Sequence, residues 1–132
     1  MNPANILRRM VEGGVDWLIP DPGASGAIKV DRWHGIVPLV TAAAETRTLA
    51  APTKPGLVLT LAFVTDGGDC VVTVASAYDE AGGTTLTFAN VGEYITLHSV
   101  PVLLSSGTFT YAWRVLSNDS VVGPSMFGGV TM

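Results

Sequence analysis

The sequence predicts an all-β protein, an antiparallel β-sandwich or barrel with a flexible N-terminal arm or short helix. Short runs rich in Val, Leu, Ile, Phe and Thr recur after residue 26, and turn sequences such as KPG, DGGD, EAGG and SSG separate them. Apolar and polar residues alternate in TLTFANV and YITLHSV, as in half-buried strands. Short strands at this spacing are typical of sandwiches and barrels, and 132 residues fit one such domain.

The first part of the chain differs from the rest, which divides it into an arm and connector (1–26) and a β-body (27–132). Ile6, Leu7, Met10 and Val11 recur at helical spacing before a Gly-Gly pair, which favours one short amphipathic helix or an arm. The run WLIPDPGASG (17–26) holds two prolines and two glycines, so it predicts an extended connector. We expect the arm to move relative to the body.

The body is predicted to contain nine strands and no helix. In YITLHSV, alternation places Ile95, Leu97 and Ser99 on one face and Tyr94, Thr96, His98 and Val100 on the other. The predicted strands are Ala27–Val30, Gly35–Val40, Thr46–Ala50, Leu57–Val64, Cys70–Ala75, Thr84–Phe88, Tyr94–Val100, Phe109–Leu116 and Ser120–Val122.

The composition points to a protein whose surface is covered by a partner. Only 14% of residues are charged, against about 25% in a typical soluble domain. No apolar run reaches the roughly 20 residues that a membrane span needs, and Glu12 and Asp16 interrupt any secretory signal, so we expect synthesis in the cytoplasm. A net charge of −4 without a basic stripe argues against nucleic acid. We therefore expect a homo-oligomer or a lattice component.

The loop Asp66-Gly67-Gly68-Asp69 raises the question of a metal site, and we interpret it as a hairpin tip. It lacks the further oxygen ligands of a calcium loop, whereas Gly-Gly supplies the positive φ angles of a tight hairpin. His34 and His98 lie in separate strands without metal-ligand spacing, which favours structural roles.

No catalytic set stands at motif spacing. Cys70 lies in an alternating apolar run and is predicted to be a buried thiol, and GASGA (23–27) lacks the pattern of a serine nucleophile. We predict neither an enzyme nor a bound cofactor or metal.

The three tryptophans have different predicted roles. Trp113 lies in the alternating strand TYAWRVL and is predicted to be core, whereas Trp17 and Trp33 flank the connector. Trp17 is an anchor in either of two ways: it docks the arm on its own body, or it docks on a neighbouring chain.

The stretch from IKVDRWHGIVPLVTAAAETRTLAAP to TLTFANVGEYITLHSV resembles the β-rich capsid decoration, or cement, proteins of tailed phages. The resemblance covers roughly residues 28–116, and the AETRTLAAP strand, the glycine-aspartate hairpin and the TLTFANVGEYITL hairpin carry it. It implies a sandwich or barrel head, often trimeric, that sits on the outer capsid surface and reinforces contacts between capsomers. It implies no catalytic residues.

Two functions therefore stay open. The first is a homotrimeric decoration protein that binds the major capsid protein lattice on the virion exterior through its arm, with contact residues Ile6, Leu7, Arg8, Arg9, Met10 and Trp17. The alternative is a receptor- or carbohydrate-binding β-module of a tail fibre or host-attachment structure. Its groove would be lined by exposed aromatic residues, and Tyr78, Tyr94 and Tyr111 are the candidates.

Overall fold

The computed structural model describes residues 17–123, which form eight β-strands and no α-helix. Eight of the nine predicted strands are confirmed, with ends that shift by at most three residues. The ninth is wrong, because only Val122 of that run makes a bridge, to Thr87. The strands are β1 (Gly26–Ile28), β2 (His34–Val40), β3 (Glu45–Leu49), β4 (Val58–Thr65), β5 (Cys70–Val74), β6 (Thr85–Phe88), β7 (Tyr94–Leu103) and β8 (Phe109–Asp119).

The strands form two four-stranded mixed sheets, and neither sheet closes into a barrel. Sheet I has the order β1-β3-β5-β6 and sheet II the order β2-β4-β7-β8. The β1–β3, β3–β5 and β2–β4 pairs are parallel, whereas β5–β6, β4–β7 and β7–β8 are antiparallel. The all-β prediction is confirmed, but the prediction of antiparallel sheets holds for only part of the structure. The reason is that the first five strands alternate between the sheets, so neighbours within a sheet run the same way.

This alternation corrects the two predicted hairpins. Asp66–Asp69 joins β4 to β5, and the ANVG turn joins β6 to β7, and in both cases the two strands belong to different sheets. Both loops are therefore crossovers between sheets. Gly67 and Gly68 are not needed for positive φ angles either: a Cβ at Gly68 would lie 2.5 Å from the carbonyl carbon of Ala43, so the loop packs directly on the neighbouring backbone.

Residues of both sheets contribute to one buried apolar cluster. Trp113 is fully buried, as predicted, and its Nε1 donates to the Ala50 carbonyl at 2.9 Å. Cys70 is also buried, as predicted, and desolvation raises the pKa of its thiol to about 11. The predicted alternation of β7 is confirmed, since Ile95, Leu97 and Ser99 are buried and the intervening residues are not.

The described part of the connector, residues 17–26, packs against the body. Ile19 is buried in the core and its N–H donates to the Ile36 carbonyl at 2.8 Å, which extends sheet II beyond the edge of β2. Asp21 accepts hydrogen bonds from Arg47, the largest buried polar side chain among residues 17–123, at 2.7 Å to Nε and 3.0 Å to Nη2. The connector is thus irregular, as predicted, but the residues up to Gly26 are fixed to the body.

The carboxylates around Arg47 are held in their ionised form. Burial alone would raise the pKa of Asp21, but hydrogen bonds from Arg47 and from the N–H groups of Val40 and Gly23 outweigh it and lower that pKa. The pKa of Glu45 is lowered chiefly by the Ala42 N–H and also by Arg47. This cluster joins the connector, β2 and β3, because Arg47 also donates to the Val40 carbonyl at 2.9 Å.

Candidate interaction surface

The outward side of β2, β4 and β7 forms a continuous surface without a single Asp, Glu, Lys or Arg. Alternation along each strand turns every second side chain away from the core, and in these strands all of those side chains are apolar, hydroxyl-bearing or imidazole groups. We call this surface the uncharged face. It consists of His34, Ile36, Pro38, Val40, Val58, Thr60, Ala62, Val64, Tyr94, Thr96, His98 and Val100.

The strand register arranges the uncharged face in rows across sheet II. Ile36 lies opposite Thr60 and Thr60 opposite Thr96, and the two threonine hydroxyls are 2.9 Å apart. Large apolar side chains stay in contact with solvent: Ile36 is 42% exposed and Val64 47%. Isolated exposed apolar residues are normal, but a connected surface of this kind is typical of an interaction site.

The outward side of sheet I differs in chemistry and serves as an internal comparison. It presents mostly threonine hydroxyls on β3, β5 and β6, which water can hydrogen-bond. The outward residues of sheet I are Ala27, Thr46, Thr48, Val71, Thr73, Thr85 and Thr87. Most of the outward apolar groups of the two sheets therefore lie on sheet II.

A groove of about 200 Å³ opens at one end of the uncharged face. The ring of Trp17 contacts that of His34, with 5.6 Å between ring centroids, and both residues line the groove. Gly35, Ile36, Val58 and Thr60 complete the lining. The lining is mainly apolar and includes three side chains with hydrogen-bonding groups, Trp17, His34 and Thr60.

A second exposed apolar element is the hairpin tip, which we define as residues 101–111. The β4–β7 ladder ends at the pair Val58–His98, whereas the β7–β8 ladder continues to Leu103 and Phe109, which lie directly opposite each other. Leu103 is 63% exposed and Phe109 60%. The turn closes where Leu104 N–H donates to the Thr108 carbonyl at 2.8 Å. No charged residue occurs between Ser99 and Trp113.

The predicted contact residues fall in two groups. Ile6, Leu7, Arg8, Arg9 and Met10 lie outside the described residues. Trp17 is half-exposed, and its ring contacts the ring of His34.

The aromatic groove predicted for the alternative function is not assembled from the three tyrosines. Tyr78 is fully buried and its hydroxyl donates to the Thr85 carbonyl at 2.9 Å, so its prediction as an exposed groove residue is wrong. Tyr94 is the first residue of β7, opposite Asp119, whereas Tyr111 lies in β8 opposite Pro101, near the other end of β7.

The remaining candidates do not come together as a reactive or metal-binding site. Within residues 17–123, no group of three His, Cys, Asp or Glu side chains is close enough to hold a metal ion. His34 and His98 lie in the same row of the uncharged face, separated by Val58. In the described part of the chain, no helix is long and apolar enough to cross a bilayer.

Sequence reasoning missed the residues that define the two apolar surfaces, above all Ile36, Leu103 and Phe109. One signal was present: β2, β4 and β7 and the segment between Ser99 and Trp113 contain no charged residue. The absence of charge in these segments indicates a surface only once it is known that the strands are neighbours in one sheet.

No protein-family model matches the chain, and no curated protein matches it either.

Proposed function

We propose that this chain is a capsid decoration protein of a tailed phage, a structural protein that assembles with copies of itself and binds the outer surface of the head. The observation that carries the proposal is the uncharged face, which spans three strands of sheet II. A solvent-exposed enzyme or transport domain has no need of so large an uncharged surface with exposed isoleucine and valine side chains, whereas a lattice protein buries it. In this proposal the two sheets stack as a β-sandwich and present opposite sides to water and to the partner.

The position of Trp17 supports a role for the arm on the same side. The described chain begins at Trp17, which touches His34 at the edge of the uncharged face. In this proposal, residues 1–16 contact the same partner as the uncharged face does. Ile6, Leu7 and Met10 would supply apolar contacts and Arg8 and Arg9 charge-assisted hydrogen bonds to capsid carboxylates.

The test uses head shells of the phage that encodes the chain, assembled without the protein. Purified full-length protein should co-sediment with these shells to a saturating ratio, and mass spectrometry should find it in intact virions. Removal of residues 1–16 should lower the occupancy at saturation. Failure of the full-length protein to co-sediment, together with its absence from virions, overturns the proposal.

A matched pair of substitutions tests whether shell binding depends on the uncharged face or on any exposed valine. Val64→Lys places a charge on the uncharged face, and Val122→Lys places the same charge on a valine of nearly equal exposure, 49% against 47%, next to sheet I. We expect Val64→Lys to abolish saturable binding and Val122→Lys to leave it unchanged. Equal binding by both variants refutes the assignment of the face.

The groove beside Trp17 is the observation that favours the alternative, a receptor- or carbohydrate-binding module. An exposed indole can stack on a sugar ring, but His34 and Thr60 supply few hydrogen bonds for sugar hydroxyls. A glycan array with the full-length protein tests this alternative. Specific glycan binding that Trp17→Ala removes, without shell binding, would support the alternative over decoration.

A further inference from the structure

We propose that the hairpin tip of one copy inserts Phe109 into the groove beside Trp17 of the next copy, so that the chains associate head to tail in a closed ring. This inference rests on the self-association in the proposed function and names the surfaces that produce it. Both surfaces belong to the same chain, one protrudes and the other is recessed, and both are apolar and exposed.

The groove has the right size for the side chain that the hairpin tip presents. An apolar cavity of about 150 Å³ in a protein is large enough to bind benzene. The groove of about 200 Å³ therefore accommodates the phenyl ring of Phe109, and Leu103, directly across the ladder, would extend the contact over Ile36.

The strand geometry prevents a copy from filling its own groove. Leu103 lies on the same side of β7 as the buried Leu97 and Ser99, which is the side away from the uncharged face. The ladder between β7 and β8 holds the tip along the strand direction up to the pair of Leu103 and Phe109. The apolar side chains of the hairpin tip and the groove thus lie on opposite sides of sheet II. Only the hairpin tip of another molecule can enter the groove.

The hairpin tip of a second copy is a partner that brings no charge to the groove. A partner with charged side chains at this contact would have to bury them against groups that cannot neutralise them, at a considerable cost in free energy. A second copy brings a charge-free surface to a charge-free surface. Because the two patches differ, the contact is heterologous, and such contacts form a ring when the rotation between copies closes.

Sedimentation velocity and light scattering of the full-length protein test the ring directly. We expect a closed oligomer in the micromolar range and a dissociation constant raised at least about thirtyfold by Phe109→Asp or by Ile36→Lys. Val91→Asp is the control, because Val91 is 59% exposed but lies in the loop before β7, at the other end of sheet II from the hairpin tip. A monomeric wild type, or Phe109→Asp oligomers as stable as the wild type, overturns the inference.

Mixing the two disrupted variants tests the head-to-tail arrangement. Phe109→Asp keeps an intact groove and Ile36→Lys an intact hairpin tip, so an equimolar mixture should form 1:1 dimers although each variant alone is monomeric. A mixture that stays monomeric while circular dichroism shows both variants folded overturns the arrangement. If either variant fails to fold, the double variant Phe109→Cys/Ile36→Cys replaces them. On oxidation it should yield covalent oligomers linked through positions 36 and 109, and a lack of such links refutes the contact.

The outcome is separable from that of the proposed function. A wild-type monomer that still saturates head shells would refute the ring and leave decoration in place. A wild-type ring that does not bind shells would refute decoration and leave the ring.

Discussion

Replacing Asp21 by Asn should destabilise the protein by about 2–4 kcal/mol, because it leaves the buried guanidinium of Arg47 poorly compensated. Removing one partner of a buried ion pair costs roughly 3–5 kcal/mol. Glu45 stays 3.0 Å from Nη2 and the Val40 and Thr46 carbonyls still accept from Arg47, so we expect the lower part of that range or slightly less. The side-chain amide introduced at position 21 would also direct N–H groups at a guanidinium that has no acceptor.

Urea denaturation and thermal melts measure this loss of stability, and a substitution in a second ion pair of the same chain serves as the control. For a domain of this size, 3 kcal/mol corresponds to a fall of about 10 °C in melting temperature. Asp31→Asn removes a carboxylate that pairs with Arg32 at the same 2.7 Å, but both side chains are solvent-accessible, so it should leave the melting temperature and the urea midpoint almost unchanged. Equal effects of the two substitutions would refute the argument that burial of Arg47 determines the cost.

The same cluster predicts how stability depends on pH. The folded state lowers the pKa of Asp21 from its ordinary 3.8 and that of Glu45 from 4.5, so the unfolded chain takes up these protons first as the pH falls. Their stabilisation is therefore complete above about pH 5 and is lost as the pH falls through the lowered values. Asp21→Asn should lose less stability than the wild type between pH 5 and 3, and urea midpoints at a series of pH values show whether it does.

Three further perturbations test the core and the crossovers. Trp113→Phe should cost about 1–3 kcal/mol, because it removes the hydrogen bond to Ala50 and leaves a cavity; an unchanged urea midpoint would contradict this. Gly68→Ala should destabilise by about 1–3 kcal/mol through overlap with the Ala43 backbone, and a neutral effect would show that the crossover loop can shift. The Cys70 thiol, buried and with its pKa raised to about 11, should react with iodoacetamide at pH 8 only as fast as the protein opens, so rapid labelling of folded protein would refute its burial.

The strands could be predicted from the sequence because their signals are local. Alternation and the turn residues between runs depend only on neighbouring positions, and both identified eight strands and the buried face of β7. The pairing of those strands depends on the loops between them. The loop sequences do not show whether the next strand joins the same sheet or the other one. Gly67 and Gly68 suit a tight hairpin in the sequence, but the structure uses their missing Cβ atoms for close backbone contact in a crossover.

The interaction surfaces depend on which strands become neighbours. Strands β3, β5 and β6 carry outward threonines, whereas β2, β4 and β7 carry mostly outward apolar residues. The two kinds of strand are interspersed along the chain, so the sequence alone does not separate them. Because the crossovers send β1 to β5 alternately to the two sheets, the outward residues separate into a hydroxyl-rich side of β3, β5 and β6 and an uncharged, more apolar side of β2, β4 and β7. Had β4 and β5 paired as a hairpin, the apolar residues of β4 would have lain beside Thr73 in one sheet. The parallel crossovers therefore give sheet I a hydroxyl-rich outward side and give β2, β4 and β7 an uncharged outward side with exposed apolar side chains.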